Sequence, residues 1–263
     1  MNKILILVVL LSGLIACQSA QKFVNKDVPN TPMPGFNTEG SDAKAMAIAD
    51  DVMKASGGRY AWDMTRYIKW TFFGNRMLIW DKTKEKVRID FLKSDMKICL
   101  DLKNMTGRVW KDGAEMTQPD SVKKYLERGK GIWINDAYWL VMPFKMKDSG
   151  VTLKYVGTQK SALDVDCEVV EMTFKGVGNT PDNKYHVFVN PSSHLVVQWD
   201  YFAKATNEKP SISSPWQDYR ALGNIMLSIN RGENRSMVPI GVYRSIPDSV
   251  FTSFSEVDWA KLK

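Results

Sequence analysis

Between Tyr60 and Phe72 apolar and polar side chains alternate: Tyr60, Trp62, Met64, Ile68, Trp70 and Phe72 share one parity, Asp63, Thr65, Tyr67, Lys69 and Thr71 the other. A period of two belongs to extended chain with one covered face, so the pattern predicts a long, curved strand. Arg76–Trp80 and Lys86–Phe91 continue it after a turn at Gly74-Asn75, with Val87, Ile89 and Phe91 alternating against Lys86, Arg88 and Asp90. Met96–Asp101 and Arg108–Lys111 follow, the second ending at the turn pair Asp112-Gly113. Further strands are predicted at Val151–Val156, Cys167–Phe174, Tyr185–Val189 and Leu195–Tyr201, the last two joined by Asn190-Pro191-Ser192-Ser193-His194. Trp216–Arg220, Ile225–Asn230 and Val238–Tyr243 close the series.

Helical periodicity occurs twice. Ser41 is placed to cap a helix with Asp42 in its first turn, an apolar face of Ala45, Met46, Ala49, Val52 and Met53, and a stop at Gly57-Gly58. Asp120 is placed to cap a short second helix carrying Val122, Tyr125 and Leu126 and closed by Gly129. Beyond it, Ile132–Phe144 is the most apolar stretch of the body; Trp133, Ala137, Leu140 and Val141 fit a buried helix stopped by Pro143, and a buried strand over part of the run stays open. About ten antiparallel strands with two helical insertions and no strand-helix alternation indicate α+β: a large curved antiparallel sheet, an unclosed barrel, with an N-terminal helix and a helical insertion packed in its hollow.

The N-terminus has a different character. Lys3 precedes the apolar run Ile4–Leu11, and Leu14-Ile15-Ala16-Cys17 follows, which reads as an export signal. Leu14-Ile15-Ala16-Cys17 resembles the bacterial lipobox, which implies acylation of Cys17 and removal of residues 1–16; a plain signal cut after Ala20 is the alternative. Gln18 in place of an aspartate implies, by the same resemblance, outer-membrane sorting, and the absence of acidic residues in Gln18–Lys22 favours the periplasmic face. Residues 17–40, with Pro29, Pro32, Pro34, Gly35 and Gly40 among polar residues, have the composition of a tether; residues 41–263 form a single domain.

Composition narrows the function. A net charge of +7 with 44% hydrophobic and 25% charged residues is a globular balance, and 4–16 is too short an apolar run for the roughly 20 residues of a spanning helix. The Lys and Arg residues are spread along alternating strands, as on a solvated sheet face, so nucleic acid is not an expected partner; anionic headgroups are the one charge-based partner retained. Two histidines and three cysteines argue against a metal site and a disulfide scaffold, and no cofactor is expected.

The order of elements over residues 42–263 resembles the LolA/LolB-like superfamily of outer-membrane lipoprotein-sorting proteins. Within that class Ala137–Phe144, Gly150–Tyr155 and Trp199-Asp200-Tyr201 are similar to segments of a lipoprotein family of the Bacteroidetes. The resemblance implies a hydrophobic cavity between sheet and helices for a lipid, acylated protein or other apolar ligand, with no covalent chemistry. Candidate lining residues are Trp62, Met64, Ile68, Trp70 and Phe72 on the first strand and Trp133, Trp139, Leu140 and Met142 on the inserted helix; the alternative is that they fill a plain core. Anchoring through Cys17 excludes a free shuttle and leaves an anchored receptor or sensor, or an interaction lipoprotein that recruits an envelope partner, whose identity the sequence does not define.

Arg66 stands at the apolar parity of the first strand, where a charge needs a partner. It is a candidate latch on helix carbonyls or a headgroup contact, unless it sits beyond the rim or pairs with a neighbouring carboxylate. His186 and His194 share a hairpin with Asp182 and Asp200, but no serine elbow or metal spacing surrounds them. Cys99 and Cys167 lack a Cys-x-x-Cys arrangement and read as two separately buried thiols, with a disulfide as the alternative. Asp164, Asp166 and Glu168 read as a solvated turn.

Overall fold

The structure is a computed structural model that describes residues 27–178 and 182–262. Residues 1–16, Cys17 and the first part of the expected tether lie outside the described residues. Residues 29–40 are not an extended spacer: Phe36 is buried beside helix α1 (Ala43–Ala55), and the Met33 and Asn37 amides donate to the carbonyls of Lys147 and Val151. An aromatic side chain among the prolines supplies the apolar anchor that composition alone obscured.

The architecture is α+β with unclosed antiparallel sheets. β1 (Tyr67–Phe72), β2 (Arg76–Asp81), β3 (Lys86–Phe91), β4 (Lys97–Asp101), β5 (Thr106–Lys111) and β6 (Ala114–Glu115) form a meander. Asp112 and Gly113 both take positive φ between β5 and β6, the conformation a tight hairpin requires. β7 (Val151–Lys160), β8 (Asp166–Phe174), β9 (Lys184–Val189), β10 (Val196–Phe202) and β11 (Ile212–Pro215) form a second sheet, and β12 (Gln217–Leu222) and β13 (Ile225–Asn230) a separate hairpin. β14 (Gly241–Tyr243) returns to pair with β1, completing a seven-stranded first sheet. The expected α+β fold with a large, unclosed antiparallel sheet is present, its strands grouped mainly into ladders of seven and five.

Two elements differ from the periodicity. Arg59–Met64, read as the start of the first strand, is a short helix, α2, that buries Ala61 and Trp62 while leaving Met64 63% exposed. Gly58, with φ of 87°, turns the chain between α1 and α2. The second helix does not stop at Gly129: α3 runs unbroken over Pro119–Val141, with Pro119 in its first turn. Gly129 is a packing residue, since a Cβ there would lie 3.2 Å from Ile98 Cγ2 on β4. Pro143 falls in the following 3-10 turn, Met142–Lys145.

α3 lies in the hollow of the first sheet. Leu126, Ala137, Leu140 and Val141 pack with Ile68, Trp70, Ile89, Ile98 and Val109 in one apolar cluster. Met142 joins a second cluster with α1 and the five-stranded sheet. The opposite face of the first sheet, expected to be solvated, is covered by the C-terminal segment: Tyr67 and Ile79 pack against Ile246, Val250 and Phe251. Arg88, 1% exposed, donates to the carbonyls of Val250, Ser253 and Ser255, and Lys97 to that of Phe254. Polar side chains on this face therefore serve as donors to a backbone that has no ladder of its own.

Candidate functional site

The C-terminal half of α3 stands between the two sheets, and the space it leaves unfilled is a cleft of about 330 Å³. Its apolar wall is made by Trp80 of β2, Trp133, Ile134, Ala137, Tyr138 and Val141 of α3, and Val151 and Phe174 of the five-stranded sheet. Its rim carries Lys145, Asp148, Ser149, Val177 and Gly178, with Lys145 and Asp148 forming an ion pair. A smaller hollow of about 90 Å³ adjoins it across Ile134 and Tyr138 and reaches Trp139, Asn183 and Tyr185. A mainly aromatic and aliphatic lining suits a ligand whose long axis is hydrocarbon.

α3 is held over this space by two buried cationic contacts. Asp136, fully buried, receives Arg76 Nε at 2.8 Å and Nη2 at 3.0 Å. Burial pushes the Asp136 carboxyl above its ordinary value, and the hydrogen bonds from Arg76 and Asn135 only partly offset this. Arg231, 1% exposed, donates through Nη2 at 2.7 Å and Nε at 3.1 Å to the carbonyl of Trp139. Its guanidinium also lies 3.6 Å from the centre of the Trp216 ring. Burial pushes Arg231 down to about 9, so it remains cationic at neutral pH.

The latch on helix carbonyls considered for Arg66 is thus made by Arg231, which sequence reasoning missed. Arg66 pairs with Asp81 through Nε at 3.1 Å and Nη2 at 2.9 Å. Burial pushes the Asp81 carboxyl up, but Arg66 and the Lys84 and Thr83 amides hold it below its ordinary value. Arg66 and Met64 border a different surface hollow, with Tyr243 and Arg244.

The structure separates the candidate lining residues. Trp133 borders the large cleft and Trp139 the small hollow. Ile68, Trp70, Phe72, Leu140 and Met142 are core residues with neighbours on every side. Trp62 is buried behind the cleft wall, stacked on Phe144 at 4.4 Å. Trp80, Tyr138, Phe174 and Val177 were missed, although Tyr138 beside Trp139 on one helix, and Phe174 at the end of an alternating strand, are the signals that could have found them. Lys82 lies against Trp62, with Nζ 3.4 Å from its ring centre and donating to its carbonyl; burial pushes this amine down to about 7.

The histidines are not brought together. His186 Nε2 meets Glu171 Oε2 at 3.1 Å on the neighbouring strand, and Glu171 also receives Lys184 at 3.2 Å. His194 lies in the β9–β10 turn, 3.9 Å from Asp51. Asp200 instead accepts from Gln198. Cys99 and Cys167 are free, buried thiols in different sheets, and desolvation pushes Cys99 up to about 11. Asp164 and Glu168 pair with Lys160 and Lys44.

Among the described residues no helix is long and apolar enough to cross a membrane. No protein-family model matches the chain, and no curated protein sequence matches it. Among solved structures it is similar to a DUF1329 family protein from Desulfovibrio piger, with 10% identity and a TM-score of 0.43 over 79% of this chain and 96% of that one. A putative outer membrane lipoprotein-sorting protein domain from Vibrio parahaemolyticus gives 8% identity and a TM-score of 0.37 over the same shares. MucB gives 11% and 0.26 over 75% of this chain and 66% of that one.

Proposed function

We propose that this protein is an outer-membrane lipoprotein, anchored through Cys17 and facing the periplasm, that holds a lipid, acylated protein or other hydrophobic ligand in the cleft beside α3 without covalent chemistry. The observation that carries the reading is the cleft itself: about 330 Å³ of space with an aromatic and aliphatic wall and its charged groups at the rim. That volume falls at the lower end of the roughly 300 to 1,000 Å³ of small-molecule sites, enough for one chain or part of one. The lipobox-like Leu14-Ile15-Ala16-Cys17 supports the anchor, and several acyl chains on one cysteine would make attachment permanent.

Native mass spectrometry of the full protein released from detergent tests the ligand. Co-purified lipid, and saturable uptake of a fluorescent fatty acid, are expected. A clean unliganded mass with no uptake removes the reading. It would leave the second one, an interaction lipoprotein that recruits an envelope partner, which is favoured by the packing of Ile68, Trp70, Phe72 and Leu140 into solid core.

A further inference from the structure

We infer that the ligand of the cleft is a single-chain amphiphile with an uncharged, hydrogen-bonding head, the class of a monoacylglycerol, and that the head lies in the small hollow beside Tyr138 while the chain fills the cleft. The inference rests on the proposed ligand reading and deepens it by naming the chemistry of the ligand's polar end.

The two spaces are parts of one site. Ile134, Tyr138, Phe174, Val177 and Gly178 border both the cleft of about 330 Å³ and the hollow of about 90 Å³. Their remaining linings differ. The cleft adds Trp80, Trp133, Ala137, Val141 and Val151, whereas the hollow adds Asn135, Trp139, Asn183 and Tyr185. Hydrocarbon therefore matches the cleft. A compact group with oxygens that donate and accept matches the hollow, where two amides and two phenols offer both kinds of partner.

The head is uncharged because nothing charged is free to meet it. Among the described residues no charged side chain borders the hollow, and the two that border the cleft, Lys145 and Asp148, are paired with each other. A carboxylate, phosphate or ammonium drawn into the hollow would give up its hydration without gaining a counter-charge. The phenols of the hollow stay neutral as well. Desolvation pushes Tyr138 and Tyr185 above their ordinary value, with Tyr185 and Asp148 adding to the shift at Tyr138.

Tyr138 supplies the partner that the head would satisfy. Its hydroxyl is buried and has no hydrogen-bond partner among the described residues, whereas the hydroxyl of Tyr219 donates to the Val196 carbonyl at 2.8 Å. A buried hydroxyl without a partner costs stability, and an ester or hydroxyl oxygen in the hollow would accept from it. The ring is fixed by its neighbours: the centres of Tyr185, Trp199 and Phe174 lie 5.6, 5.9 and 6.1 Å from that of Tyr138.

The test is a competition followed by native mass spectrometry. The full protein, released from detergent, is offered equal concentrations of monodecanoylglycerol, decanoate and decyltrimethylammonium, which share one chain length and differ in the charge of the head. The monoacylglycerol adduct should exceed either charged adduct by about tenfold or more. Tyr138→Phe keeps the ring and should lower that adduct about fivefold, the value of one net hydrogen bond, without lowering the melting temperature. Equal adducts, or a preference for a charged amphiphile, overturn the inference and leave the cleft as a ligand site. A monoacylglycerol preference undiminished in Tyr138→Phe overturns the placement of the head. No adduct with any of the three removes the ligand reading, and the inference with it.

Discussion

The guanidinium of Arg231 and the carbonyl of Trp139 are joined by two hydrogen bonds, 2.7 and 3.1 Å, in a site from which water is excluded. Trp139 lies in the last turn of α3, where carbonyls have no partner within the helix and the helix dipole favours a cation. No carboxylate pairs with this arginine among the described contacts; its other hydrogen bonds go to Ser228 Oγ and the Asn230 carbonyl. A cation from the β12–β13 region thus ends the helix that walls the cleft.

Arg231→Met should therefore lower stability by about 2 to 3 kcal/mol, because the Trp139 carbonyl loses charged donors it cannot replace from water. Arg231→Lys should recover only part of the loss, since an ammonium lacks the guanidinium's planar fork. Urea denaturation of the three proteins is the measurement; a Met variant as stable as the parent would show that the contact contributes nothing net.

Lys82 gives a pH dependence with a defined sign. Its folded value, near 7, lies below its ordinary 10.5, so between those values the unfolded chain binds more protons than the folded one. Stability from this group rises with pH across that window, and the cost of burying the ammonium is fully present below about 7. The stability difference between the parent and Lys82→Met should change in the parent's favour from pH 6.5 to pH 9.5. A difference independent of pH would place the amine in water.

The strands were readable because a covered face imposes alternation, and β3 with Val87, Ile89 and Lys86, Arg88 shows it plainly. The same alternation misled at Tyr60–Met64, where one turn of helix and a short strand place Trp62 inward alike. Gly129 carried opposite meanings by two rules, a helix stop in sequence and a close approach to Ile98 in space. Burial of Lys69 could not be read locally either, because its ammonium lies 4.8 Å from the ring centre of Trp259, far along the chain. Arg66 has the apolar parity of a strand that begins only at Tyr67, and Arg231 follows directly on the end of β13 in Arg231-Gly232-Glu233-Asn234, where a charged residue reads as a solvated turn.

The C-terminal segment should act as a removable cover. Cys99 lies beneath it, with its thiol 3.8 Å from the Ser253 carbonyl and pushed up to about 11 by desolvation. Deleting residues 248–263 should raise the rate of Cys99 labelling by a thiol reagent by a factor on the order of a hundred, by restoring both access and thiolate. Cys167, fully buried in the other sheet, serves as the internal control. Unchanged labelling of Cys99 in a truncated protein that remains folded would show that the sheet alone shields it.

Trp70 and Trp133 separate a core from a cleft wall. Trp70 is 0% exposed and packed on all sides, so Trp70→Ala should cost about 3 to 5 kcal/mol. Trp133 is half-buried, with part of its surface facing the cleft, and Trp133→Ala should cost clearly less because fewer contacts are lost. Binding of a fluorescent fatty acid should follow the opposite order, weakening about tenfold or more for Trp133→Ala at a temperature where both variants are folded. Ile134→Trp provides the complementary change, since it adds bulk to the cleft wall from a partly exposed position and should abolish uptake while leaving the melting temperature within a few degrees of the parent. Paired melting curves and titrations decide the matter. Equal destabilisation by the two alanine substitutions, with uptake undisturbed by Ile134→Trp, would mean that Trp133 is part of the core and that the ligand lies elsewhere.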